Sequence, residues 1–112
     1  MKVLKDPGQV LQIMNRKLNE LRKKFDEADG EEASEISGQE VAIIDIAGNI
    51  RHAIEDYGYF GVKDMAWVYE YVDDAKEKDH EYSNSRDTWF MKGLAKRAAW
   101  ALQEIEKRME EK

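Results

Sequence analysis

One run of the sequence, YEYVDDAKEKDHEY at positions 69–82, contains six carboxylates, one histidine and three tyrosines. Glu77 and His80 have the three-residue spacing of two metal ligands on one helical turn. Asp73 and Glu70 lie one and two turns earlier. Carboxylate oxygens and imidazole nitrogens are common ligands of divalent cations. The first chemistry that this run suggests is therefore metal binding.

The helical period separates these polar side chains from the apolar ones. At about 100° per residue the two groups fall on opposite sides of a helix. The apolar side contains Met65, Val68, Val72 and Ala75, and the polar side contains Glu70, Asp73, Glu77 and His80. Metal sites in helical bundles are built from side chains that project inward. We therefore predict a solvated acidic face without a metal site, and we treat Glu70, Asp73 and Glu77 as candidate contacts for a protein partner.

A second polar stripe consists of Asp45, Asn49, His52 and Asp56, beside a row of isoleucines. An aspartate–histidine pair in a cleft is able to act as a general acid or base. Neither a Gly-x-Ser-x-Gly nucleophile motif nor a phosphate-binding glycine loop accompanies the stripe. We predict no catalytic residues.

The run DIAGNIRHAIEDYG, from Asp45 to Gly58, resembles the helix that ends the catalytic part of the all-α nucleotide pyrophosphohydrolases, and EEASE supplies a Glu-x-x-Glu pair at Glu32 and Glu35. In that family, paired acids on two helices hold magnesium against the triphosphate. The resemblance implies an alternative function, magnesium-dependent nucleotide hydrolysis using Glu32, Glu35 and Asp45. The glutamate that the family pattern has three residues before Asp45 is Ala42 here, and the chain is not assigned to the family.

Two tryptophans lie on one edge of the last predicted helix. Trp89, Gly93, Lys96 and Trp100 are together there, about 80–100° from the core face. Tryptophan is among the residues that most often anchor protein interfaces, and glycine permits close approach. Two alternatives remain open: the edge binds a partner, or another helix of the bundle covers both rings. A homodimer formed through this edge is a further alternative.

The elements that position these residues are four amphipathic helices in one domain, residues 1–112. We predict an all-α, compact and mostly antiparallel four-helix bundle. Asp6 and Pro7 begin helix one, which runs to about residue 28. An acidic connector with the composition of a mobile segment follows at 29–38. Gly58 ends helix two, Asp64 caps helix three, and Ser85 or Asp87 caps helix four.

The same period predicts which side chains face the core. They are Leu11, Met14, Leu18, Leu21 and Phe25 in helix one; Ile43, Ile46, Ala47, Ile50, Ala53, Ile54 and Tyr57 in helix two; Met65, Val68, Tyr71, Val72, Ala75 and Tyr82 in helix three; and Phe90, Leu94, Ala98, Ala101, Leu102, Ile105 and Met109 in helix four.

Negative charge is concentrated in the middle of the chain. Residues 31–85 carry fourteen acids against four bases, whereas the whole chain has a net charge of -6. Such a surface repels nucleic acid and favours basic partners. We therefore expect a non-enzymatic interaction module that binds, and inhibits or adapts, a larger basic protein of the nucleic-acid-handling kind, with carboxylates placed where phosphates would lie. We expect no cofactor, no direct nucleic-acid binding and no membrane association. The absence of cysteine leaves the redox compartment open. Because the first residues lack the apolar core of a signal peptide, the expected location is the cytoplasm.

Overall fold

A computed structural model describes residues 1–81 and 87–112 of the chain. In chain order the elements are β1 (Lys2–Leu4), α1 (Pro7–Glu27), α2 (Gly30–Tyr57), α3 (Val62–Glu81), α4 (Thr88–Glu106) and β2 (Met109–Glu111). The predicted all-α four-helix bundle is confirmed. The predicted core residue Tyr82 and the predicted cap Ser85 lie outside the described residues. Within the described part, no helix combines the length and the apolar composition needed to cross a bilayer.

Two of the predicted helix ends are confirmed by their hydrogen bonds. At the start of α1, the carboxylate of Asp6 accepts a hydrogen bond from the Gln9 N–H at 3.2 Å, and Pro7 occupies the first turn. Proline suits that position because its φ is preset and its missing N–H has no partner to lose there. At the end of α2, Gly58 has φ 79° and donates its N–H to the Ile54 carbonyl at 2.9 Å. Both ends therefore follow from local chemistry.

The predicted connector at 29–38 is wrong, because α2 begins at Gly30 and includes this segment. Gly38 lies against α4, where an added Cβ would collide with the main-chain carbonyl oxygen of Phe90. On α4, Gly93 lies against the carbonyl oxygen of Glu35 in the same way. Glycine disfavours a helix interior by about 1 kcal/mol relative to alanine. The small residues that suggest a loop are instead the contact surface between two helices, and packing overrides their intrinsic preference.

Helix α2 is the centre of the bundle. Its 28 residues measure about 42 Å at 1.5 Å per residue, which accounts for most of the 45 Å long axis of the molecule. It packs most extensively on α4 and also on α1, whereas α3 packs mainly on α4. The largest fully buried side chains are Phe60, Met14, Ile43, Ile46, Ile50, Ile105, Val10, Val68 and Val72. Because α3 contacts the bundle along one side, its opposite side faces solvent.

Three details of the predicted helices differ in the structure. Phe25 and Tyr57 were expected to face the core but are 41% and 69% exposed, because each lies in the last turn of its helix. Helix α3 begins at Val62, two residues before the predicted cap. Asp64 is its third residue, and its carboxylate accepts a hydrogen bond from the Gly61 N–H at 2.9 Å. This reach back to the N-terminal N–H is half of a capping box.

The two ends of the chain form a small antiparallel sheet that the sequence analysis missed. Helix α4 ends at Glu106 rather than continuing to Met109, and β2 pairs with β1. The N–H of Leu4, in β1, also donates to the carbonyl of Phe60 at 2.8 Å. Strands of three residues are too short to show an alternating pattern. Their partners also lie at opposite ends of the chain, so no local signal reports the pairing.

The contact between α2 and α4 predicts opposite effects for one substitution at two helical glycines. Gly93→Ala should lower the free energy of unfolding by about 1–3 kcal/mol, because the new methyl meets main-chain atoms that cannot rotate away. Gly48→Ala is the matched control: a Cβ there has open space around it, and the variant should gain up to about 1 kcal/mol. Chemical denaturation measures both values. Equal stabilities of the two variants would contradict the contact.

Candidate functional site

The acidic face of α3 is where the helical period placed it. Glu70, Asp73 and Glu77 are exposed. The apolar side chains predicted for the opposite side of the helix are all buried: Met65, Val68, Val72 and Ala75. Among the described residues, none of the three carboxylates has a cationic side chain within 4.0 Å. The face therefore presents carboxylates that are not held in ion pairs, with Lys76 and Lys78 on either side of Glu77 in the sequence.

The same geometry bears on the Glu77–His80 pair that suggested a metal. His80 is exposed near the C-terminal end of α3. Hard cations need several oxygen ligands that converge from different directions. In residues 1–81 and 87–112, no group of three or more potential histidine or carboxylate ligands is close enough to hold an ion. Convergence, rather than spacing along one helix, is the feature that this run lacks.

The acids of the pyrophosphohydrolase resemblance all lie on one helix. Glu32, Glu35 and Asp45 are residues of α2, so the Glu-x-x-Glu pair is helical rather than part of a connector. Glu35 and Asp45 are ten residues apart, which is about 15 Å along the axis. Glu35 also pairs with Lys96 of α4 at 3.6 Å. This arrangement differs from acids on two facing helices that hold one ion between them.

The polar stripe of α2 divides into two separate hydrogen-bonded pairs. Asp45 accepts a hydrogen bond from the Tyr71 hydroxyl at 2.7 Å, and His52 lies 3.0 Å from Asp56, measured from Nε2 to Oδ2. Asn49 stands between them, and its buried Oδ1 has no hydrogen-bond partner among the described residues. Asp45 and His52 therefore do not pair with each other. The aspartate–histidine pair that does form, His52 with Asp56, is on the exposed surface of α2.

Trp100, at one end of the tryptophan edge, packs within the chain. Its ring is half-buried against the core, with Lys17 Nζ at 5.8 Å and Arg97 Cζ at 4.9 Å from its centroid. Cations at such distances are attracted by the negative face of the ring. Helices α1 and α4 thus supply the contacts that the sequence left open for a partner.

The middle of the same edge is also occupied by the chain itself. Gly93 is buried against Glu35, so the close approach that glycine permits is made by α2 and not by a partner. Lys96 remains exposed and faces Glu35. At the other end, Trp89 is half-buried with Lys92 Nζ at 4.7 Å from its centroid. The candidate role of Gly93 in partner binding is therefore corrected, and Trp89 and Lys96 are left as the accessible part of the edge.

A polar network links α2 to α4 beside this edge. Arg97 donates from Nε and Nη2 to the Gln39 side-chain oxygen at 3.1 and 2.7 Å, and Gln39 donates to Glu35 at 3.4 Å. Gln39 is buried, and burial lowers the pKa of Arg97, while the charge of Glu20 opposes that effect. Because its members satisfy one another, we interpret the network as a structural clamp.

Aromatic side chains on the outer part of α3 are more exposed than the tryptophan edge. Trp67 is 37% exposed and Tyr69 is 45% exposed. The Trp67 and Tyr71 rings are tilted by 32° with their centroids 5.3 Å apart. Burial raises the pKa of Tyr71, and the hydrogen bond to Asp45 raises it further. The helical period predicts that Tyr71 faces the core and does not single out Trp67. Periodicity gives the direction in which a side chain leaves the helix, but not whether another element packs against it.

A second exposed apolar surface lies at the end of the bundle that carries the sheet. Met1, Tyr57, Tyr59 and Val62 contribute to it, and two open hollows of about 330 and 380 Å³ share Val62 as a lining residue. The run YGYFG at 57–61 supplies the two tyrosines. Met1 lies beside them in one of the hollows, and no local sequence signal reports that placement.

The raised pKa of Tyr71 predicts a stability change in alkaline solution. An unfolded tyrosine ionises near pH 10, and folded Tyr71 holds its proton to higher pH. The unfolded state therefore binds fewer protons above about pH 10, so the free energy of unfolding falls as the pH rises. Tyr71→Phe should flatten this fall, whereas Tyr57→Phe, which removes an exposed hydroxyl, should not. Denaturation at several alkaline pH values measures the slopes, and identical slopes would contradict the assignment.

Comparison of the chain with protein-family models, with characterised proteins and with solved structures gave no significant match. Evidence for function therefore comes from the placement of this chain's own side chains. The acidic face of α3 is exposed and has aromatic side chains along its border. Contacts within the chain do not account for this surface, so it is the candidate functional site.

Proposed function

We propose that this protein is an interaction module that binds a larger protein through a basic surface, and that it inhibits or adapts that partner. The observation that carries the proposal is the row of exposed carboxylates on α3 that lack ion-pair partners among the described residues. Other surface acids of this chain are held in ion pairs, as Glu104 is with Arg108 at 2.9 Å. Glu70, Asp73 and Glu77 form no such pair among the described residues.

The spacing of the acidic face supports a partner that normally binds nucleic acid. Glu70, Asp73 and Glu77 follow one another at intervals of about 4.5–6 Å along the helix axis. A linear array of negative charge is also the feature that a phosphate backbone presents to basic grooves. An exposed helix of this kind is able to occupy such a groove and exclude the nucleic acid. Association driven by charge is fast and weakens as salt screens it.

One aromatic and one aliphatic side chain next to the acids add an apolar component. Tyr69 is adjacent in sequence to Glu70, and Val62 and Tyr69 lie seven residues apart on the same side of α3 as Asp73. Both are substantially exposed. Aromatic anchors commonly supply much of the affinity of an interface, while charges set orientation and rate. The acidic face and its aromatic border together have the composition of an interface.

The alternative function, a magnesium-dependent nucleotide hydrolase, has weaker support in this geometry. Its three candidate acids are distributed along a single helix, and one of them is paired with Lys96. Release of pyrophosphate from a panel of nucleoside triphosphates with magnesium, abolished by Glu32→Gln, would favour the hydrolase over the interaction module.

Capture from a lysate of the source organism tests the interaction module. The wild-type bait should retain a basic protein that is released by salt, and a variant carrying Glu70→Gln, Asp73→Asn and Glu77→Gln should retain at least about tenfold less of it, since several charge contacts of about 0.5 kcal/mol or more are lost together. Mass spectrometry identifies and quantifies the retained proteins.

The matched control variant carries Asp26→Asn, Glu27→Gln and Glu55→Gln. These three residues are also exposed, and the control has the same net charge as the test variant, so it should retain the partner almost as well as wild type. Circular dichroism verifies that both variants fold. Equal loss in the two variants would mean that total charge, and not the α3 face, drives capture. Absence of any salt-sensitive basic protein would overturn the proposal. A substitution at Trp100 is a poor probe of partner binding, because that ring packs against the core.

A further inference from the structure

The three tryptophans of this protein differ in whether a cation already lies on the ring. Trp89 has Lys92 Nζ at 4.7 Å, and Trp100 has Arg97 Cζ at 4.9 Å. Among the described residues, no lysine or arginine lies over Trp67, which is 37% exposed. The chain therefore supplies cations to two of its tryptophan rings and leaves the third open to solvent.

The surroundings of Trp67 are acidic and aromatic. Trp67, Glu70, Tyr71 and Asp74 occupy positions i, i+3, i+4 and i+7 of α3, which places them along one side of the helix. Asp45 of α2 joins this group through its 2.7 Å hydrogen bond with the Tyr71 hydroxyl. Glu70, Asp74 and Asp45 are exposed, and none has an ion-pair partner among the described residues.

A shallow hollow lined by residues of α2, α3 and α4 continues from this group. It has a volume of about 170 Å³, and Asp45, Tyr71 and Asp74 line it together with the apolar side chains of Val41 and Leu94. An apolar lining beneath carboxylates suits a side chain with an aliphatic stem and a cationic head. Lys78 also lines the hollow and lies one helical turn, about 6 Å along the axis, from Asp74, and Lys63 lies one turn before Trp67. The three carboxylates of Glu70, Asp74 and Asp45 against these two lysines leave the group with a net negative charge.

We propose that Trp67, together with the carboxylates of Glu70, Asp74 and Asp45, is a binding site for an arginine side chain of the protein partner. This inference rests on the proposed function and names the residue type that the partner contributes. A guanidinium group is planar, so it stacks on a tryptophan ring and at the same time donates paired hydrogen bonds to a carboxylate. An ammonium group lacks the planar shape and is more strongly hydrated.

Tyr71 is a positioning residue in this site. Its ring supports Trp67 at 5.3 Å, and its hydroxyl holds one oxygen of the Asp45 carboxylate, which leaves the other oxygen available to a guanidinium donor. The cost of ordering these side chains is therefore met before the partner arrives, which favours binding.

Two capped peptides of equal length, one of arginine and one of lysine residues, test the site at low salt. The arginine peptide should bind wild type about threefold to tenfold more tightly by calorimetry, as expected for one stacked cation. In a ¹⁵N-labelled sample, the indole N–H signal of Trp67 should shift on addition of the arginine peptide, while the signals of Trp89 and Trp100 should change little. Trp67→Leu should remove the preference for arginine and leave lysine binding unchanged, and Trp89→Leu is the matched control.

The outcomes distinguish failure of the arginine site alone from failure of the proposed function. If both peptides bind with equal affinity and the Trp67 signal does not shift, the arginine site is wrong, although binding of basic partners by the acidic face stands. If neither peptide binds, both proposals fail. If Trp67→Leu does not fold, the indole shift in the wild-type protein decides, because it requires no substitution. If the preference for arginine disappears equally in Trp89→Leu, Trp67 is not the specific site and the proposal is overturned.

Discussion

The main-chain contact between α2 and α4 is the constraint on which the rest of this structure depends. Gly38 and Gly93 each face a carbonyl oxygen of the opposite helix, at Phe90 and Glu35, where no side-chain atom fits. The polar clamp of Arg97 and Gln39 lies at the same crossing, where it satisfies groups that burial would otherwise leave unpaired.

That contact also determines which surfaces remain for function. Because α4 is held against α2, the tryptophan edge of α4 meets its own chain: Gly93 is covered, and Trp100 is half-buried beneath Lys17 and Arg97. Helix α3 packs mainly on α4 and only slightly on α2, so its outer side stays in solvent. The tryptophan edge is therefore largely covered by its own chain, and the acidic face of α3 is the more exposed of the two candidate surfaces.

Charge is distributed over this scaffold in a way that separates stability from interaction. On α1 and α4, Lys17 and Lys96 pair with carboxylates, and Lys17 and Arg97 lie over the Trp100 ring. On α3 the carboxylates have no such partners among the described residues, and Trp67 has no cation. Unpaired charge beside an open aromatic ring contributes little to the fold, since exposed charges interact weakly in water. It becomes favourable only when a basic group is brought to it, which is the physical basis of the proposed interaction.

The sequence by itself determined the four helices, the caps at Asp6 and Gly58, the buried face of α3 and the outward direction of Glu70, Asp73 and Glu77. All of these depend on interactions within a few residues, which periodicity reports directly. Tertiary structure decided that residues 29–38 are helical, that Met109 belongs to a strand paired with the start of the chain, and that Gly93 is covered while Trp67 is open. These outcomes depend on groups far apart in sequence: a glycine identifies a close approach, but only the fold identifies what approaches it.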